Sequence, residues 1–176
     1  MIAKDYWKPF YKEHKFEEPS GFAQWALPEI QGTLVDLGCG DGRDTHYFLA
    51  NGIRAYGVDA SNEDVLIIKQ DVNQFIKENE CTDNVYTRFF WHAIDDETRE
   101  NILKWTTGKL FIEARTTKDK PKNLYGKHDR NLVDVKKLQE MLEKYGFTTL
   151  KLYEGYGMSK YFDEDPHLVR VVAQKG

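Results

Sequence analysis

Apolar positions along this chain change period repeatedly, and the changes outline its elements. Residues 4–16 place Tyr6, Trp7, Phe10 and Tyr11 three or four apart, the spacing of an amphipathic helix. Pro19 breaks the pattern, and Ser20 is suited to cap a second helix reaching about Leu27. Beyond it, short apolar runs at 33–37, 54–59, 65–69, 85–91 and 109–114 read as buried strands. Stretches at 43–51, 71–77 and 95–105 read as helices, the first stopped by Gly52 and the last opened by acidic residues. Alternation of this kind predicts a mostly parallel sheet with helices on both faces.

Two stretches depart from it. Only residues 60–64 separate the second and third runs, well short of the dozen or so that a parallel crossover takes. Either the usual helix has shrunk to a turn or the third strand lies elsewhere. At the other end, a helix over 133–145 stops at Gly146, and strands at 147–153 and 168–173 follow with no helix between them. That pair is expected as an antiparallel hairpin at one side of the sheet. Residues 115–133 are polar and aperiodic, a length of loop that is more often functional than idle.

At 176 residues the chain reads as one domain, 1–176, with residues 1–30 a helical cover on a core at 33–176. A net charge of −4 offers no overall attraction for a phosphate backbone, so nucleic acid is not expected as a partner. No 18-residue apolar run occurs and the first residues turn polar at Lys4, so neither a membrane span nor a leader is expected, and the reading is cytoplasmic. Cys39 and Cys81 lack ligand or disulfide spacing, and no metal site is expected.

The chemistry concentrates at Val35-Asp36-Leu37-Gly38-Cys39-Gly40-Asp41-Gly42, with Asp59 ending the next apolar run. A strand, a glycine loop and a helix in this order build a nucleoside-type cofactor site. The dinucleotide fingerprint sets its third glycine three positions after the second, to bring a helix close to pyrophosphate. Here the glycines strictly alternate and an acid precedes them by two, which would repel pyrophosphate but suits the cationic sulfonium and amino group of S-adenosylmethionine. An NAD-dependent oxidoreductase is therefore the weaker alternative. Asp59, followed by Ala60-Ser61, is placed for ribose hydroxyls, and Asp71 with Val72 for adenine, although Asp71 also reads as a helix cap ahead of Gln74.

These motifs resemble the class I S-adenosylmethionine-dependent methyltransferases over nearly the whole chain. The resemblance implies a Rossmann-like three-layer α/β sandwich around a mostly parallel seven-stranded sheet ending in the antiparallel hairpin. It implies that Asp36, Gly38, Cys39, Gly40, Asp41 and Gly42 cradle the methionine part, that Asp59, Ala60 and Ser61 serve the ribose, and that Asp71 and Val72 flank adenine. The run Thr87-Arg88-Phe89-Phe90-x-His92-Ala93-Ile94, the early Tyr6-Trp7 and Pro19-Ser20, and Glu164-Asp165-Pro166 are similar to a subgroup of small bacterial methyltransferases that tailor surface polysaccharides and their phosphorylated precursors.

Methyl transfer is an in-line displacement that needs alignment, and a base only when the acceptor must lose a proton. Acceptor residues are expected beyond the fourth and fifth strands. Arg88, inside an apolar strand, should meet a carboxylate of the protein or the cofactor. His92 is a candidate base, or a packed histidine. Glu113 and Arg115 share a strand face, as a mutual ion pair or as acceptor groups. Tyr125, Lys127, His128 and Arg130 suit a phosphate or carboxylate. His92, Arg88, Arg115 and His128 are the candidate catalytic groups, and Arg88 also a cofactor contact. The expected reaction is methylation of an oxygen, less readily a nitrogen, of a small anionic acceptor such as a phosphorylated sugar. A non-catalytic S-adenosylmethionine-binding module is the alternative from another class.

Overall fold

The computed structural model describes residues 18–62, 64, 66–81, 83–119, 131–160 and 163–176. The helix expected over 4–16 and the Tyr125, Lys127, His128 and Arg130 cluster lie outside them. Seven strands form one sheet: β1 (Thr33–Leu37), β2 (Arg54–Val58), β3 (Ile67–Ile68), β4 (Asn84–Arg88), β5 (Lys109–Arg115), β6 (Phe147–Gly155) and β7 (Leu168–Lys175). Their order is β3-β2-β1-β4-β5-β7-β6. The first five run parallel, and β7 pairs antiparallel with both β5 and β6, which is the expected terminal hairpin.

Among the described residues, five helices flank the sheet: α1 (Gly21–Ala26), α2 (Arg43–Ala50), α3 (Val72–Glu78), α4 (Asp96–Trp105) and α5 (Val135–Lys144). Side chains alternate across each strand, so two separate apolar clusters form. On one face Phe22 and Ala26 of α1 and Phe48 of α2 meet Leu34, Tyr86, Phe111 and Val172. On the other, Phe75, Ile102, Leu103, Leu138 and Leu142 meet Val35, Val58, Val85, Ile112 and Val171. Among the described residues, no helix is long and apolar enough to cross a membrane.

The third strand does lie where the apolar run put it, but only Ile67 and Ile68 pair, in parallel with Gly57 and Val58. The crossover helix is replaced by three successive turns in which an acidic or amide side chain accepts from the N–H two residues on. Asp59 Oδ1 takes the N–H of Ser61 (2.8 Å), Asn62 Oδ1 that of Asp64 (2.6 Å), and Asp64 Oδ1 that of Leu66 (2.9 Å). Asp64 also meets His46 Nε2 of α2 at 3.1 Å.

The fourth strand is shorter than the apolar run that marked it, stopping at Arg88 rather than Trp91. Phe89 has φ +52°, alone among the described non-glycine residues in that region. It turns the chain inward, so Phe90 and Trp91 bury their rings in the core while Trp91–Ala93 wind into a 3-10 turn. A short apolar run does not by itself separate a strand from a turn whose side chains face inward.

Two buried charge clusters hold the segments outside the sheet. Asp44, 5% exposed, accepts from Ser20 N–H (2.8 Å), Ser20 Oγ (2.7 Å) and the Tyr86 hydroxyl (2.7 Å), tying the cap of α1 to α2 and β4. Arg115 gives Nη1 to Asp119 (2.9 Å) and Nη2 to Glu164 (2.5 Å), joining the exit of β5 to the residues ahead of β7. The Glu113–Arg115 pair expected from strand alternation is therefore replaced: each of the two finds its opposite charge on another segment.

Asp44→Ala leaves Ser20 and Tyr86 with buried hydroxyls that have lost their charged acceptor, and is expected to cost about 2–4 kcal/mol in urea unfolding. Arg115→Ala strands two buried carboxylates and is expected to cost about 3–5 kcal/mol. An Arg115→Ala protein as stable as the parent would return Arg115 to the acceptor groups.

Candidate functional site

The chain leaves β1 for β2 on one side and reaches β4 on the other, so a crevice opens at the carboxyl ends of β1 and β4, where open α/β sheets take their ligands. Residues 38–42 form its floor. Gly38, Gly40 and Gly42 have φ of +69°, +59° and +79°, a left-handed conformation at every second residue that accounts for the alternate spacing. At Gly38 there is a second demand: a Cβ would stand 2.1 Å from the ring of Phe90, which lies on the loop. The loop is stapled to the exit of β2, through Gly38 N–H on Val58 O (2.8 Å), Gly40 N–H on Asp59 Oδ2 (2.9 Å), and Asn62 Nδ2 on Gly40 O. Gly57 lets it sit close, since a Cβ there would meet Cys39 Sγ and Ile67 Cδ1 at 2.7 Å.

The loop is ringed by acids. Asp36, 2% exposed, accepts from Thr45 Oγ1 at 2.7 Å. Burial, and next the charge of Asp44, hold its carboxyl well above the usual carboxylate range. Burial likewise pushes the Cys39 thiol up, with Asp36, Asp59 and Asp41 adding to it, so the thiol form is favoured there. Asp59 takes three bonds, from Gly40 N–H and from the N–H and hydroxyl of Ser61, out of about four acceptor sites on a carboxylate. Asp36, Gly38, Cys39, Gly40, Asp41, Gly42, Asp59, Ala60 and Ser61 are thus gathered at one crevice. Asp71 and Val72 follow β3, one strand further out, and there the capping reading is the one seen: Asp71 accepts from Asn73 and Gln74 N–H and opens α3, while Val72 is in the core.

On the far side of the crevice a row of charge crosses three strands in register, Arg88 of β4, Glu113 of β5 and Arg170 of β7. Arg88 Nε reaches Glu113 Oε1 at 3.1 Å and Arg170 Nε reaches Oε2 at 2.5 Å, with Glu113 wholly buried. Arg88 therefore meets a protein carboxylate, as its place in an apolar strand required. Arg88 Nη2 also donates to Ser159 Oγ (3.1 Å) and Arg170 Nη2 to the Met158 carbonyl (2.7 Å), so the link between β6 and β7 is drawn over the crevice. Arg170 and Ser159 were not among the residues singled out above. The signal for Arg170 was present: a charge between Val169 and Val171 in an apolar strand, the same mark that picked out Arg88.

His92 is 3% exposed, and its Nδ1 accepts the N–H of Arg115 at 3.0 Å. That bond assigns the neutral ring's proton to Nε2, so the lone pair a base would offer at Nδ1 is already committed. Its carbonyl takes the N–H of Asn131 (2.8 Å), so His92 joins β5 to the chain returning toward α5. Arg115 is buried between its own two carboxylates, Asp119 and Glu164, with its Cζ 5.9 Å from the centre of the Phe89 ring. His128 lies outside the described residues. A cavity of about 200 Å3 opens at the other, amino-terminal end of the strands, between Gln31, Asp83, Asn84 and Lys109. It belongs to the network in which Asn84 satisfies the Gln31 and Thr33 carbonyls, not to the crevice.

Residues 11–152 match the family model described as a methyltransferase domain. No curated protein matches the chain in sequence. Among solved structures, the 1,6-didemethyltoxoflavin-N1-methyltransferase of Burkholderia thailandensis, with its acceptor and S-adenosylhomocysteine bound, is 18% identical at a TM-score of 0.71, covering 99% of this chain and 87% of that one. The magnesium protoporphyrin IX methyltransferase of Synechocystis PCC 6803, with the methyl donor bound, is 14% identical at 0.64, covering 88% and 76%. An S-adenosylmethionine-dependent methyltransferase of Archaeoglobus fulgidus is 16% identical at 0.63, covering 98% and 95%. At these identities the structural likeness speaks for the fold, and the family model, spanning most of the chain, speaks for descent. The chain belongs to the class I S-adenosylmethionine-dependent methyltransferase family.

Proposed function

We propose that this methyltransferase moves the methyl group of S-adenosylmethionine to an oxygen, less readily a nitrogen, of a small anionic acceptor such as a phosphorylated sugar or a surface-polysaccharide precursor. The observation that carries the reading is the division of charge across one crevice, acids around the glycine loop and arginines on the opposite wall. The structural neighbours act on acceptors as different as a porphyrin and a toxoflavin precursor, so the acceptor has to be read from this chain's own residues.

The residues present fit the donor. Left-handed glycines at every second residue thin the floor of side chains, Asp36 and Asp41 suit the donor's cationic methionine end, and Asp59 with Ala60 and Ser61 suits ribose hydroxyls. Asp71 and Val72 would border adenine, Val72 with its side chain in the core. When bound, the donor supplies an electrophilic methyl carbon on sulfur, open to in-line attack. The chain's part is to hold both partners, exclude water and align the acceptor oxygen. An oxygen that arrives already ionised, as on a phosphate, needs no base, which agrees with a His92 whose Nδ1 is engaged by the backbone. The three turns after β2 keep Asp59 beside Gly40 without a crossover helix, so the short crossover lends no weight to a non-catalytic module.

Asp59→Ala removes the acceptor that faces both Gly40 and the sugar, and S-adenosylhomocysteine affinity is expected to fall at least about a hundredfold by calorimetry. Affinity kept within twofold would displace the ribose assignment.

Asp36 sets a pH dependence. Its folded-state pKa lies above the unfolded one, so the unfolded chain gives up that proton first, and Asp36 contributes stability only at low pH, lost as pH rises above about 4. A cation bound beside it favours the carboxylate, so donor binding should release a proton and tighten with rising pH, from about pH 4 until Asp36 ionises unaided. Titration in buffers of different ionisation enthalpy should show the release. Asp36→Asn should abolish it and weaken the donor about tenfold. No release from the parent protein would count against Asp36 as a donor contact.

A further inference from the structure

Resting on the anionic-acceptor reading, we propose that the row Arg88–Glu113–Arg170, with Ser159, is the subsite that grips the acceptor, and that the group it grips is a tetrahedral phosphoryl oxyanion. Arg88 and Ser159 are the contacts, and Glu113 and Arg170 are the positioning residues.

Several features make this a built site. Glu113 has no exposed surface, and its two oxygens serve the Nε atoms of two different arginines, so each guanidinium is oriented by a carboxylate that cannot turn. Arg88 is further fixed in plane by the Phe89 ring, 4.2 Å from its Cζ. Phe89 takes that place only with φ at +52°, a conformation costing on the order of 1 kcal/mol or more, and its N–H is pinned to the Glu113 carbonyl at 2.8 Å. Backbone strain held in place by a hydrogen bond marks a position whose geometry is used. Phe90, the next residue, lies on Gly38, so the exit of β4 that carries Arg88 borders the glycine loop.

The shape points to phosphate over a planar carboxylate. Arg88 and the Ser159 hydroxyl approach from two elements, β4 and the 156–160 link. A planar guanidinium on the strand and a hydroxyl from the link above it, meeting at one point, match an oxyanion whose oxygens lie off one plane. The Arg88–Ser159 bond, at 3.1 Å, is one that an incoming phosphate would exchange, while the Glu113 pairs stay in place.

The test is calorimetric titration of the protein saturated with S-adenosylhomocysteine, using inorganic phosphate, sulfate and acetate as probes. Phosphate should bind, acetate more weakly. Arg88→Gln should weaken phosphate about tenfold or more and Ser159→Ala about threefold, Arg88→Lys should regain part of the loss, and S-adenosylhomocysteine affinity should change less than twofold throughout. Ser159→Ala leaves every buried charge paired, so its result does not depend on a fold strained by losing an arginine. Phosphate bound equally by the parent, Arg88→Gln and Ser159→Ala would overturn the subsite and leave the anionic-acceptor reading standing. Acetate preferred over phosphate would overturn the phosphoryl assignment. A loaded parent that takes up none of the three anions would overturn the subsite and the anionic acceptor together.

Discussion

Glu113 has no exposed surface, yet it is a carboxylate in the middle of a sheet, and only two arginines make that arrangement possible. An ion buried alone costs several kcal/mol, so neither arginine is dispensable and neither can move by a residue. Strand side chains alternate, and a one-residue slip of β7 would carry Arg170 to the opposite face, into the apolar cluster that holds Val169, Val171 and Ala173. The charge row therefore pins the register where the parallel half of the sheet meets the hairpin. It also fixes what lies above: Phe22 and Trp25 of α1 sit within 6.0 Å of the Arg170 Cζ, and Met158 and Ser159 hang from the two guanidiniums. Cover, hairpin link and sheet are held by one shared carboxylate.

The donor side follows the opposite logic. There the buried charges are acids, and the one with least solvent, Asp36, is penalised both by burial and by Asp44. Asp44 is also the acceptor that anchors the cap of α1 and the Tyr86 hydroxyl. One carboxylate thus joins two functions, holding the cover in place and tuning the acid beneath the glycine loop. Tyr86 shows the consequence in its own hydroxyl, whose proton is held by burial and next by Asp44. A ligand cation near Asp36 would relieve a cost that the fold already carries, a form of pre-organisation in which the protein is less comfortable without its donor than with it.

What the linear chain disclosed was what short-range physics decides. Glycines at 38, 40, 42, 52 and 146 and the caps at Ser20 and Asp71 depend on local backbone geometry, and the structure shows them doing what their types imply. The terminal hairpin was legible because no helix fits between its strands. The end of β4 was not, since Phe89, Phe90 and Trp91 are as apolar as a strand and only the left-handed Phe89 reveals that they pack inward. Nor were the partners of Arg115, because Glu164 is 49 positions away and only the fold brings it near. Arg170 is the instructive omission: the cost of an unpaired buried charge applies to it as strictly as to Arg88, and the argument that flagged one applies unchanged to the other.

The short crossover after β2 shows why a missing element need not mean a missing site. A crossover helix serves to cover the sheet face between two strands and to return the chain in parallel. Here β3 pairs over two residues only, so there is little face to cover, and so brief an edge strand is also poorly suited to recruiting another chain. The return is made instead by Asp59, Asn62 and Asp64, each closing a turn on the N–H two residues on. Asp59 is the first of these turns and, through its other oxygen, the acceptor for Gly40. The side chain proposed for the sugar is therefore also the one that starts the return, and the short crossover ties the exit of β2 to the glycine loop through a single carboxylate.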